Sequence, residues 1–247
     1  MTLIRPAYNL RNPRGQIVRC AFKGVFPSIR VTVSVADAFR GAALAAFHAI
    51  SGSKDSFLLS GHLAAGQVDA EHRHAHYLPK PDNEGRIREL LVVSPQERFS
   101  NSEVAALKAV TTLRWNGPSA KANLEVVDLD DQSEIKLSAH WVSLSPYVPP
   151  RRFWGTHGKH HLSPDKQIVA EIAAADRNIV VAEIKLRRWG ALGIRIPSRS
   201  TTKLANTPSQ RTAFQVAFKT ETPVCGPIAL GHSCYFGLGL FVPAANV

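Results

Sequence analysis

A strand-helix-strand-strand-helix-strand order of hydrophobic periodicities occurs over the first half of this 247-residue chain and restarts after a short acidic stretch. With a glycine-rich segment near residue 230, that repetition predicts an α+β protein of two tandem ferredoxin-like (RRM-like, βαββαβ) units. The units are expected over residues 1–130 and 131–247, with the glycine-rich loop at the C-terminal end of the second.

QIVRCAFKGVF (16–26) reads as the first strand. Ser34 followed by Asp37 reads as a weak capping box, and Phe39, Ala43, Phe47 and Ile50 form one helical stripe behind it. FLLSGH, near Leu58, is a short strand candidate. HRHAHYLP (72–79) and IRELLVVSP (87–95) read as strands joined by the turn-forming KPDNEGR. Ser100 and Glu103 form a stronger capping box, opening a helix to about Leu113 whose core face is Val104, Leu107, Val110 and Leu113. NLEVVDL (123–129) closes the unit, and acidic DLDDQSE (128–134) reads as an exposed link.

The second pass begins with KLSAHWVSLSPYV (136–148), ended by Pro149 and Pro150. Ser163-Pro164-Asp165 is a helix start, with Ile168, Ile172 and Ala175 as the buried stripe. Residues 178–189, 211–220 and 236–243 are the remaining strands, so the second helix of this unit is expected to be degenerate.

The composition, 45% hydrophobic and 20% charged, argues against a disordered chain. The net charge of +11 points to an acidic partner, nucleic acid being the commonest, against the plainer reading of charge kept for solubility. Cys20, Cys225 and Cys234 contain no CxxC pair, so a reducing compartment is expected. The N-terminal stretch lacks the apolar core of a signal peptide. No apolar run approaches the roughly 18 to 20 residues of a membrane span. A cytoplasmic protein without a membrane partner is the expectation.

GPIALGHSCYFGLGLFVP (226–243) concentrates Gly226, Gly231, Gly237 and Gly239 among apolar residues. Glycines let main-chain amides approach a phosphate, which would make Gly231, His232, Ser233, Tyr235, Gly237 and Gly239 RNA contacts. They equally suit a tight connection before a last strand. The segment is neither GxGxxG nor a Walker loop, so no nucleotide cofactor is expected.

On a strand, His72, His74 and His76 share a face. Three readings compete: a metal site, for which no HExxH or CxxC supplies further ligands; a structural histidine row; and acid–base chemistry near neutral pH. On RNA, a base would take the proton of the 2′-hydroxyl, the oxygen would attack the phosphorus in line, and an acid would protonate the leaving 5′-oxygen. His74 and His76 are the candidate proton-transfer pair, with Tyr77 nearby, although a regular strand turns Tyr77 to the opposite face, and no metal or cofactor is required. His232 and Tyr235 are a second possible pair.

From Arg177 to Lys219 there are nine Lys/Arg against one acid, Glu183. Lys185, Arg187 and Trp189 alternate onto one strand face, which suits phosphate contact plus stacking, while Arg188 points the other way. A solvated edge strand guarded by charge is the plainer alternative. Arg86 and Arg88 follow the histidine hairpin and are candidate clamps for a scissile phosphate, with Arg151 a further RNA contact.

The glycine-rich segment resembles the C-terminal glycine-rich loop of the RAMP superfamily, which contains the CRISPR RNA-processing endoribonucleases. LLSGH (58–62), HRHAHYLPKPDNEGRIREL (72–90), SPYVPPR (145–151) and PVCGPIALGHSCYFGLGLFVP (223–243) are together similar to one branch. That branch is the processing half of the fused backbone-and-processing subunit of type I-U (I-G) systems. The resemblance implies tandem ferredoxin-like domains, binding of hairpin CRISPR repeat RNA, metal-independent cleavage within repeats, and partnership with other subunits of a type I surveillance complex. It marks His74 and His76 as part of a recurring motif without assigning their roles. A non-catalytic RNA-binding subunit of such a complex is the alternative.

Overall fold

Residues 15–53, 56–61, 74–117, 120–150, 162–189 and 212–244 are described by the structure, a computed structural model. Two five-stranded antiparallel sheets follow one another along the chain. The first contains β1 (Gln16–Lys23), β2 (His76–Pro81), β3 (Ile87–Ser94), β4 (Thr112–Arg114) and β5 (Lys121–Asp128), in the order β2-β3-β1-β5-β4. The second contains β6 (Lys136–Ser143), β7 (Val181–Arg188), β8 (Phe214–Gly226), β9 (Ile228–Ala229) and β10 (Leu240–Pro243), in the order β7-β8-β6-β10-β9. Remove the short edge strands β4 and β9 and both sheets have the strand order of the βαββαβ unit.

Helix α1 (Thr32–Ser51) covers the first sheet with Val35, Ala36, Phe39, Ala43 and Phe47. It does not start at Ser34. Ser28 caps a 3-10 turn, Ile29–Val31, that runs directly into the helix, which leaves Ser34 inside the first turn and Asp37 free to pair with Arg40 at 3.0 Å. Ile50, expected in the stripe, is 48% exposed because the helix has passed the sheet edge there. By length and composition alone, Ile29–Ser51 would pass for a membrane span, with a mean hydropathy of 1.2. Here its Val35–Phe47 stripe lies in the core of the first unit.

The FLLS segment is a helical turn, α2 (Phe57–Ser60), not a strand: Ser56 Oγ accepts from Leu59 N, and Gly61 takes the left-handed conformation that ends it. Helix α3 (Asn101–Ala109) opens with the expected Ser100/Glu103 capping box. It stops before Leu113, which lies in β4 and is buried there. In the second unit α4 (Pro164–Ala175) packs Ile168 and Ile172 on Phe214, Val216 and Phe218. A single 3-10 turn, Cys234–Phe236, stands where the second helix of the pattern would be.

The two faces of the first sheet have different neighbours. Val18, Cys20, Tyr77, Leu90 and Val92 face α1 and α3. On the other face, Ile17, Leu78, Leu91 and Val93 join the core of the second unit with Trp141, Phe241 and Leu240. The charged half of that face is tied to the link between the units. Arg19 pairs with Glu89 at 3.0 Å and with Asp131 at 2.7 Å, and Lys80 pairs with Glu134 at 2.6 Å. The acidic link is therefore held against the sheet, with Asp131 buried.

Candidate functional site

His76 begins β2, paired across from Val93, and so lies on the face turned toward the second unit. His74 precedes it on the same side. Its Nδ1 is 3.0 Å from the Ala75 carbonyl, which only accepts, so the Nδ1 carries the hydrogen and the lone pair of the neutral ring is on Nε2. The two imidazole centroids are 6.0 Å apart.

The ring that covers them comes from the other unit. Tyr235, in the glycine-rich loop, stands edge-on to His74 at 5.1 Å and to His76 at 5.9 Å. The two segments singled out in the sequence, with Tyr235 standing 159 residues after His76, thus converge at the junction of the two sheets. The floor is set by α2. Ser56 donates to Glu103 Oε1 at 2.5 Å and caps α2, which places Gly61 under His74. A Cβ at Gly61 would lie 2.7 Å from His74 Cδ2.

Tyr77 is not part of this cluster. It points to the opposite face, buried, with its hydroxyl donating to the Leu59 carbonyl at 2.9 Å and its ring against Phe39. Burial pushes its hydroxyl pKa upward. Its placement in the catalytic group is therefore corrected: a regular strand turns successive side chains to opposite sides.

The glycine-rich loop also differs from the expectation of amides aimed at a phosphate. Gly231 N donates to Glu171 Oε2, His232 N to the Val148 carbonyl, Gly237 N to Cys234 and Gly239 N to Pro146. Gly231, Gly237 and Gly239 have positive φ and are buried. A Cβ would strike the Val148 carbonyl at Gly231, Pro79 of the first unit at Gly237, and the Leu230 carbonyl at Gly239. These glycines serve close packing of main chain on main chain and of one unit on the other. What the loop presents outward are the side chains of His232, Ser233 and Tyr235. His232 Nδ1 is 2.7 Å from Ser233 Oγ, and Ser233 adopts φ +59°.

The loop rests on residues 145–148, the start of the SPYVPPR stretch. Ser145 Oγ donates to the Gly237 carbonyl at 2.6 Å and accepts from Leu240 N at 2.9 Å. Tyr147 donates to Glu171 Oε1 at 2.9 Å.

Arg86 and Arg88 do not reach the histidines. His76 pairs with Val93, five residues along β3 from Arg88, so the hairpin turn that carries both arginines is about 17 Å away. Arg88 is held by Asp82 at 2.6 Å and stacks on Phe26 at 3.8 Å, and Arg86 pairs with Glu84 at 3.2 Å. Backbone N–H donation from Arg86 and the Arg88 side chain together hold the Asp82 carboxyl below its usual range. Their assignment as a phosphate clamp is corrected on that distance and that pairing. Among the described residues a cation near the loop is Arg40 of α1, not singled out in the sequence and paired with Asp37 at 3.0 Å. It lies 5.5 Å from the Phe236 ring and reaches the Ser60 carbonyl at 3.5 Å.

Lys185 and Arg187 lie on one face of β7, across from Ala217 and Gln215, while Arg188 pairs with Phe214 on the other face. Lys219 and His140 extend the first face, which is exposed along β7 and β8. His72 and Arg151 lie outside the described residues. Among the described residues, no three His, Cys, Asp or Glu side chains converge as metal ligands.

No protein-family model matches the chain, and no curated protein matches it. Solved structures similar to it include a product complex of Cas6, 14% identical, with 93% of this chain and 100% of that chain covered and a TM-score of 0.46. The product of a Cas6-related gene from Pyrococcus furiosus is 12% identical, over 94% of this chain and 100% of that chain, with a TM-score of 0.45. Csf5, a Cas6 crRNA endonuclease of a type IV CRISPR-Cas system, is 13% identical, over 94% of this chain and 99% of that chain, with a TM-score of 0.39.

Proposed function

We propose that this chain is an endoribonuclease that cleaves CRISPR precursor RNA within its repeats, without a metal ion, by attack of a 2′-hydroxyl on the adjacent phosphate. The observation that carries the reading is the convergence of His74, His76 and Tyr235 from two units onto one junction. His74 acts as the base, taking the 2′-hydroxyl proton on Nε2. His76 or His232 is proposed to protonate the leaving 5′-oxygen. Arg40 supplies positive charge beside the site for the pentacoordinate intermediate. The products are a 2′,3′-cyclic phosphate and a 5′-hydroxyl.

The substrate class rests on the sequence stretches that resemble the processing subunits, together with the net charge of +11. Lys185 and Arg187, with Lys219 and His140 on the same exposed face, are the proposed path of the RNA backbone. The units 1–130 and 131–247 are proposed as the two domains. Other subunits of a type I surveillance complex are the proposed partners, in the cytoplasm.

A second reading is favoured by one observation: His76 is only 1% exposed. On that reading the imidazoles hold the junction together, and the chain is an RNA-binding subunit that does not cut. Repeat RNA incubated with the protein in EDTA separates the two. Cutting in EDTA that stops when the scissile 2′-hydroxyl is replaced by hydrogen supports the nuclease. Tight binding without cutting supports the subunit. His74→Gln, with the fold intact, should abolish cutting and leave binding within about threefold. Undiminished cutting would remove His74 from the mechanism.

A further inference from the structure

Glu171 is a carboxylate on α4 with only 4% of its surface exposed, yet no cation pairs with it among the described residues. Each of its oxygens has one donor. Tyr147 O–H reaches Oε1 at 2.9 Å, and the amide of Gly231 reaches Oε2 at 2.6 Å. A buried, unpaired acid of this kind is costly to keep and is not needed to fill a core. Its position explains what it holds. Gly231 is the first residue of the loop that exposes His232, Ser233 and Tyr235, and the next amide, of His232, is held by the Val148 carbonyl at 2.8 Å. Ser145 fixes the far end of the loop at Gly237. At this end the amides of Leu230 and His232 bond to the main chain, at Gly239 and Val148, and the amide of Gly231 between them bonds to a side chain of α4.

We propose that Glu171 is a positioning residue: by bridging Tyr147 O–H and Gly231 N–H, it sets the orientation in which the loop offers His232 and Tyr235 to bound RNA. The inference rests on the RNA-cleaving reading for its consequence, but not for its geometry. Glutamine at this position keeps the Gly231 bond, accepting through its carbonyl oxygen, and keeps the bridge only with the second bond reversed, its amide donating to the Tyr147 oxygen and the Tyr147 O–H turning away. Alanine keeps neither and leaves two buried donors without an acceptor.

The experiment compares wild type, Glu171→Gln, Glu171→Ala and Tyr147→Phe. Amide exchange of the peptide spanning 229–238, followed by mass spectrometry without RNA, reads the loop directly. Exchange should quicken about tenfold in Glu171→Ala, less in Tyr147→Phe, and return to near wild type in Glu171→Gln. With repeat RNA, Glu171→Ala should lower kcat about tenfold or more with KM little changed, and Glu171→Gln should recover most of that loss. Unchanged loop exchange in Glu171→Ala overturns the proposal. So does loss of kcat in Glu171→Gln equal to that in Glu171→Ala, since the charge and not the bridge would then matter. If Glu171→Ala does not fold, Tyr147→Phe and Glu171→Gln decide: an unchanged loop in Tyr147→Phe overturns it. If wild type neither binds nor cuts the RNA, the functional reading fails while the exchange data still judge the bridge.

Discussion

Replacing Glu171 by glutamine should make the protein more stable at pH 8 than the wild type, and about equally stable at pH 5. Burial pushes the Glu171 carboxyl from 4.5 up to about 7, against the downward pull of Gly231 N–H and Tyr147 O–H. The unfolded chain loses this proton near 4.5, whereas the folded chain keeps it to about 7. Below 4.5 the contribution to stability is complete. As pH rises from 4.5 to 7 it is lost, because the unfolded state ionises freely and the folded state must pay to ionise a buried group. At 1.36 kcal/mol per pH interval, the span between 4.5 and about 7 corresponds to about 3 kcal/mol. Glutamine resembles the protonated acid and carries no such loss. Among the described residues, Tyr147 bonds to Glu171 and Cys234 feels its charge, and both are pushed upward by burial, so neither ionises in this window. Urea unfolding of both proteins at pH 5, 6, 7 and 8, read by tryptophan fluorescence, gives the difference curve, in which every shared titration cancels. The variant should gain about 2.5 kcal/mol on wild type between pH 5 and pH 8, since the first part of the loss precedes pH 5. A flat difference curve would show that Glu171 ionises in the folded state as it does in water, and the account of a buried, uncharged bridge would be wrong.

Gly237→Ala should destabilise by about 2 kcal/mol or more, since φ is +80° and the added Cβ would strike Pro79 across the two units; thermal unfolding checks this. Lys185→Glu/Arg187→Glu should weaken RNA binding and reduce the slope of log affinity against log salt by about 1.4, measured by filter binding over a salt series. Arg88→Ala should lower thermal stability through the lost contacts to Phe26 and Asp82 while leaving the cutting rate within about twofold, because the hairpin turn is remote from His76.

The element order was legible because it rests on short-range signals. The Ser100/Glu103 capping box and Ser163-Pro164 both start helices where the periodicity does. Element ends were less legible where a neighbour overrides the local signal. Leu113 has helical spacing from Val110, but β4 takes it as a strand residue because Leu113 pairs with Ala122. The histidine face was readable from period-two alternation, and so was the opposite direction of Tyr77. That Tyr235 would be the ring between His74 and His76 was not readable, because it depends on how two units dock. Arg40 was missed for the same reason: along α1 it is one more exposed-face cation, and only the packing of Phe236 against it brings it to the site. The arginines of the hairpin show the reverse error, since proximity in sequence to His76 became distance across five residues of strand.

The docking of the units also decides which surface is left for a ligand. In a βαββαβ unit the helices cover one face of the sheet, and the other face is the surface that RNA-binding domains of this frame use. In the first unit that face is occupied: Ile17, Leu78, Leu91 and Val93 belong to the core of the second unit, and Asp131 and Glu134 pair with Arg19 and Lys80 over the rest. In the second unit the same face keeps Lys185, Arg187, Gln215, Lys219 and His140 exposed along β7, β8 and β6, with one acid among them, Glu183, paired with Lys185 at 2.9 Å. The face lost in the first unit is what creates the junction where His74, His76 and Tyr235 meet. An RNA strand that followed the open cationic face of the second sheet would have its affinity set there and its chemistry done at the junction. Charge reversal at Lys185 and Arg187 should therefore act on KM, and substitution of His74 on kcat. Equal effects of both changes on kcat would place the RNA elsewhere.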